Sequence, residues 1–125
     1  MAEDTKEHPL LPLIIQPLVE NAVVHGLENK EEKGLVTVNI YFTEEFLHVL
    51  VRDNGTGMDQ MKLESLMASI TDGNKKETKH VGLKNTYQRL RLFYGEDFAF
   101  RMKSRPNQGT EVEIILPRER DEKNA

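Results

Sequence analysis

Asp53 is the residue whose chemistry the sequence marks most clearly. Leu47, Val49 and Val51 alternate with it along 46–53, so the carboxylate falls on the inward, apolar side of a strand. A carboxylate there is costly unless a donor meets it. When ionised it only accepts, so the amino group of an adenine is a suitable partner. In the segment that follows, Asn54-Gly55-Thr56-Gly57-Met58, two glycines let the chain turn sharply or pass close to a ligand. Met58 packs either on a ring or into the core. Asp-Asn-Gly is also a strong hairpin signal, but Asp59 onward has helical rather than strand character. Thr110 repeats the pattern of Asp53. Counting back from Leu116, Ile114 and Val112 puts it inward on its own strand. A shared polar spot in the core accounts for both residues, while a threonine bonded to backbone accounts for Thr110 alone.

Two other clusters carry chemistry. In Gln16-Pro17-Leu18-Val19-Glu20-Asn21-Ala22-Val23-Val24-His25-Gly26, helical spacing sets Pro17, Asn21 and Val24 in one row, with Glu20 beside them. Ile14, Leu18 and Ala22 form the neighbouring apolar stripe, so Asn21 lies at the edge of the buried face, where it can line a pocket. Its side-chain oxygen is the ligand type that magnesium prefers. Glu20 reads either as part of that site or as a solvated helix residue. His25 stands at the helix end, where a cation is favoured. In Gly82-Leu83-Lys84-Asn85, Gly82 opens a helix whose free N–H groups and positive dipole end form an anion site. Lys75, Lys76, Lys79, His80 and Lys84 add charge nearby, although each loop lysine taken singly reads as solvated.

The elements that must position these groups follow from periodicity. A helix is expected over 13–27, with Pro17 implying a kink or a later start. Strands are expected over 35–42 and 46–53, the first with Val36, Val38, Ile40 and Phe42 on one face. Helices are expected over 59–68 and 82–94, with a loop over 69–80 between them. The second helix has Leu83, Tyr87, Leu90 and Tyr94 on one stripe. Strands over 97–104 and 110–116 close the chain around Arg105-Pro106-Asn107-Gln108-Gly109. The order α-β-β-α-loop-α-β-β, with one apolar face per strand, gives an α+β two-layer sandwich. Its mostly antiparallel sheet is covered on one face by helices.

Bulk properties narrow the function classes. The chain has 125 residues, 38% of them hydrophobic and 30% charged, which suits one globular domain. The domain is expected over 9–118, with tails at 1–8 and 119–125 that read as disordered. A net charge of −4 gives no footprint for nucleic acid. No cysteine is available for disulfides or thiolate metal sites. No apolar run reaches the roughly 18 residues a membrane span needs, so no direct membrane contact is expected. There is no G-x-x-x-x-G-K-[ST], and neither H-R-D nor D-F-G occurs.

Taken in order, the three motifs 16–26, 53–58 and 82–85 resemble the nucleotide-binding signature of the GHKL ATPase superfamily. That superfamily joins sensor histidine kinases, type II topoisomerases, mismatch-repair ATPases and heat-shock chaperone ATPases. The spelling looks like that of LytS/YesM-type histidine kinases, and the likeness runs from about Pro12 to Pro117. The resemblance implies ATP and Mg2+ held between the two layers. Asp53 would select adenine among Gly55, Gly57 and Met58, and Thr110 would help hold the base and its water. Asn21 would hold Mg2+ through its side-chain oxygen, with catalytic Glu20 in the ion's shell or acting as base. Gly82, Leu83 and Asn85 would lie near the phosphates, and 69–81 would be the ATP lid.

Many histidine kinases carry Lys or Arg where this chain has Val24, and His25 would partly compensate. The hydrolytic glutamate of the topoisomerase and chaperone branches would fall at Pro17. None of His8, His25, His48 and His80 lies in a Q-x-x-P-H-F phosphoacceptor motif. The resemblance therefore implies a kinase catalytic domain that binds nucleotide with little turnover by itself. Its partners would be the dimerisation and phosphoacceptor domain of a parent kinase and a response regulator downstream. It would be a cytoplasmic domain of a membrane-anchored parent. An anti-sigma-factor type serine kinase of the same fold is the alternative.

Overall fold

The computed structural model describes residues 11–26, 33–72 and 80–118. Strands β1 (Val36–Phe42), β2 (Phe46–Asp53), β3 (Ala99–Arg105) and β4 (Gly109–Pro117) form one sheet in the order β1-β2-β4-β3. All three pairings are antiparallel. The period-2 pattern is realised as expected. Leu47, Val49 and Val51 of β2 lie opposite Leu116, Ile114 and Val112 of β4, and all six are buried. They face α1 (Leu11–Asn21), α2 (Gln60–Asp72) and α3 (Val81–Tyr94), which supply Ile14, Leu18, Leu66, Ile70, Leu83 and Leu90 to the same core. Burying such a side chain contributes roughly 1.5–3 kcal/mol, so the paired apolar rows fix the register of β2 against β4. That register places Asp53 opposite Thr110 at the end of both rows.

The helices have local reasons to start and stop. Asp59 Oδ1 accepts the Lys62 N–H at 2.8 Å, which caps α2. Gly95, at φ 66, ends α3 and donates its N–H to the Arg91 carbonyl at 2.8 Å. The Thr86 hydroxyl donates to the Gly82 carbonyl at 2.8 Å and braces the first turn of α3. Helix α1 continues through Pro17 and then widens into a π-helical turn, Ala22–Gly26. The turn packs on β2 and β4, the strands that carry Asp53 and Thr110.

Three expectations change. Helix α1 is already formed at Leu11, so Pro17 neither starts nor ends it. Helix α2 runs four residues past Ala68, to Asp72. Ser69 and Thr71 return their hydroxyls to the Leu66 and Met67 carbonyls at 2.9 and 3.0 Å, and Ile70 is fully buried. The expected lid over 69–81 therefore begins as helix, and its last residue, Val81, opens α3. Lys75, Lys76, Lys79, Leu27 and both expected tails lie outside the described residues. No helix among the described residues is long and apolar enough to cross a membrane.

Candidate functional site

The described residues gather the expected site into two clusters. The first is a cleft of about 150 Å3 between the end of α1 and the start of α3. Pro17, Glu20, Asn21, Val24, His25, His80 and Gly82 line it, so the first and third motifs meet although they lie far apart in sequence. His80 Nδ1–H donates to Asn21 Oδ1 at 2.8 Å, and the His80 ring lies 4.4 Å from that of His25. Glu20 is exposed and accepts from Gln16 Nε2 at 3.1 Å. Helix α3 opens here with Gly82 exposed, and the N-cap residue, His80, makes no side-chain cap bond. The walls thus present an amide oxygen, a nearby carboxylate, two imidazoles and a helix start, a set suited to an anion and its counter-cation.

The second cluster surrounds Asp53, which is 4% exposed. Its Oδ1 accepts the Gly55 N–H at 2.8 Å and the Thr110 N–H at 3.3 Å. Burial raises the carboxyl above its ordinary 3.8, and the backbone bonds from Gly55 and Thr110 oppose that rise. No described residue donates to Oδ2, and Oδ2 is not a sealed, unpartnered atom. Beside it, Ser104 is a fully used hydroxyl. It donates to the Gly109 carbonyl at 3.0 Å, accepts the Met58 N–H at 2.8 Å and shares a bond of 2.8 Å with the Thr110 hydroxyl. A hollow of about 200 Å3 at the β3–β4 hairpin touches Ser104, Gly109 and Thr110, but it is also lined by the outward-facing Arg52, Lys103, Arg105 and Glu111, and Asp53 does not line it.

The remaining candidates divide between backbone turns, the core and the surface. Gly57, at φ 69, turns its backbone against the hairpin, where an added Cβ would overlap the Arg105 carbonyl. Its close approach is to the protein's own chain. Gly55 is buried, and its N–H goes to Asp53. Met58 is half-buried and packs against the core, and Leu83 is fully buried. Asn85 is exposed on α3 and does not line the cleft. Lys84, at 8% exposure, is a buried residue. Sequence reasoning missed Ser104, although it shares the inward face of β3 with Phe100 and Met102, so parity alone could have found it. It also took His80 for a loop cation, and nothing local signals its bond to Asn21.

Comparison with known proteins bears on the chain as a whole. The family described as "Histidine kinase-, DNA gyrase B-, and HSP90-like ATPase" matches residues 7–120. Sensor histidine kinase YpdA of Escherichia coli (strain K12) is 39% identical over 108 residues, 86% of this chain and 18% of that protein. Sensor protein kinase HptS of Staphylococcus aureus (strain USA300) is 31% identical over 116 residues, 93% of this chain and 22% of that protein. The chain thus spans about a fifth of the length of these relatives. Among solved structures, the nucleotide-free catalytic domain of histidine kinase ThkA aligns with a TM-score of 0.65 at 17% identity, over 88% of this chain and 66% of that one. The blue-light activated histidine kinase of Erythrobacter litoralis EL346 aligns at 0.62 with 20% identity, over 92% and 31%. These two show the α+β fold.

Proposed function

The chain belongs to the histidine kinase-, DNA gyrase B- and HSP90-like ATPase family, and we propose that it serves a sensor histidine kinase as its ATP-binding catalytic domain. The observation that carries this reading is the buried Asp53 carboxylate. One oxygen is tied to two backbone N–H groups, and no described residue donates to the other. An adenine amino group would donate to it, and a base without one would leave the oxygen unpaired in a low-dielectric site. Thr110, held by Ser104, borders the same spot. The start of α3 at Gly82 would receive the phosphates on backbone N–H groups. Asn21 would give its side-chain oxygen to Mg2+, which supplies neutralisation of the phosphate charge. Glu20 is exposed on the cleft wall, where it would take a proton from an incoming imidazole or hold a water beside the ion.

The phosphoryl group would pass to a histidine nitrogen of a separate dimerisation domain, with ADP as the leaving group, and a response regulator would receive it next. Catalysis would be mostly positioning and charge neutralisation. The relatives named sensor kinases favour this reading over an anti-sigma-factor serine kinase. Calorimetry with ADP and a non-hydrolysable ATP analogue, with and without Mg2+, tests it. Binding strengthened by Mg2+ is expected. In Asp53→Asn the amide still accepts at Oδ1 but offers N–H groups where the adenine needs an acceptor, so affinity should fall at least about tenfold. Failure of the unaltered chain to bind either nucleotide would defeat the proposal.

A further inference from the structure

We infer that His80 is a positioning residue for Asn21, fixing the side-chain oxygen so that it is ready to ligate a divalent cation in the cleft. The inference rests on the reading of Asn21 as the magnesium ligand and extends it to a residue with no assigned role.

The position of His80 makes its geometry informative. It is the N-cap of α3, with φ −113 and ψ 46, a place where a Ser, Thr, Asp or Asn side chain usually turns inward to accept a helix N–H. His80 makes no such bond. Its backbone carbonyl accepts the Lys84 N–H at 3.1 Å, so the helix is joined through the main chain. The imidazole instead reaches across the cleft to Asn21, 59 residues away, at 2.8 Å. The His25 ring, tilted 44° at 4.4 Å, flanks the imidazole.

An amide oxygen only accepts, so the His80 nitrogen that faces it carries the proton. The bond therefore does three things at Asn21. It orients the amide so that its oxygen, not its NH2, faces the His80 side of the cleft. It lowers the rotamer entropy that a cation would otherwise have to remove. It also leaves the second lone pair of Oδ1 for a metal. A residue that holds a ligand from behind typically changes metal affinity by about 10–100-fold when removed. The asparagine and the histidine line the same walls, so the arrangement needs no movement of a helix to operate.

The test is calorimetric titration of the chain with ADP in magnesium and in EDTA, for the unaltered protein, Asn21→Ala, His80→Ala and His80→Asn. The amide NH2 of His80→Asn stands close to where Nδ1–H was, so this variant is the rescue. For His80→Ala we expect a loss of roughly 10-fold or more in affinity in magnesium, with affinity in EDTA unchanged. His80→Asn should recover most of the loss. Circular dichroism and thermal unfolding establish that each variant is folded. Equal loss in magnesium and in EDTA would overturn the inference in favour of a direct phosphate contact or a purely structural role. Tighter magnesium-dependent binding in His80→Ala would overturn it in favour of a blocking role. Unaltered affinity in His80→Ala, beside a clear loss in Asn21→Ala, would overturn it while leaving Asn21 as the ligand. Indifference of the unaltered protein to magnesium would remove the magnesium reading, and this inference with it.

Discussion

Asp53 and Thr110 face each other across β2 and β4, and the Asp53 carboxylate accepts the Thr110 backbone N–H at 3.3 Å. The pair stands where two buried apolar rows end, so the fold that buries Val51 and Val112 also buries the carboxylate. The same oxygen takes the Gly55 N–H, which bends the chain away from β2 immediately after the strand. One side chain thus ends a strand and shapes the following loop, and in the proposed reading its remaining oxygen would meet the ligand.

The first prediction concerns pH. Burial holds the folded Asp53 carboxyl above 3.8, so the folded state retains this proton more readily than the unfolded chain does. The stability contributed by this group is therefore fully present below the unfolded value and is lost as pH rises through the folded value. Urea unfolding across the acidic range should show a component with that sign, and Asp53→Asn should abolish it. Nucleotide affinity should move the opposite way. It requires the ionised acceptor and should weaken as pH falls through the raised value. If Asp53→Asn kept the same pH slope of stability, the burial argument would be wrong.

Much of this was legible because strands have a rigid parity. Counting by twos along 46–53 and 110–116 placed Asp53 and Thr110 inward without any knowledge of pairing, and the register agrees. The same rule reaches Ser104, but the meaning of Ser104 lies in partners on two other segments, Met58 and Thr110. Helix ends were less legible. Ser69 and Thr71 look like loop residues, yet their hydroxyls fold back onto helix carbonyls while Ile70 anchors the turn in the core. The widening of the first helix at Ala22 leaves no mark in residue type, and the contact between His80 and Asn21 exists only once α1 and α3 are packed.

Glycine substitutions should separate backbone strain from crowding. Gly57, Gly95 and Gly109 all have positive φ, at 69, 66 and 93. Around Gly95, at φ 66 and ψ −119, an added Cβ meets nothing within 4 Å, so Gly95→Ala should cost only the conformational term, about 1–3 kcal/mol. At Gly57 the Cβ would overlap the Arg105 carbonyl, and at Gly109 it would overlap the Asp53 carbonyl. Gly57→Ala and Gly109→Ala should therefore each exceed the Gly95→Ala loss in chemical denaturation, by at least about 1 kcal/mol. Equal losses at all three positions would mean that the hairpin yields to the methyl group.

Ser104→Ala should destabilise the chain by about 1–3 kcal/mol, because the half-buried Met58 N–H loses its acceptor and the Thr110 hydroxyl loses its partner. Hydrogen exchange should localise the effect. The Met58 amide should lose protection, while amides in the middle of β2, such as Val49, should report only the global change. Uniform loss of protection would instead mark Ser104 as an ordinary packing residue.

Gly82→Ala offers the cleanest separation of folding from binding. Gly82 has no positive φ among the glycines that do, and the nearest atom to an added Cβ is the Pro17 side chain at 3.6 Å, an ordinary contact. Alanine there removes the flexibility of a helical glycine, so the folded state should gain up to about 1 kcal/mol. The same methyl group would stand on the cleft wall where phosphates are proposed to meet the helix start, and nucleotide affinity should fall by about tenfold or more. A variant with raised Tm and weakened ADP binding would place the phosphates at the start of α3. Raised Tm with unaltered ADP binding would move them elsewhere in the domain.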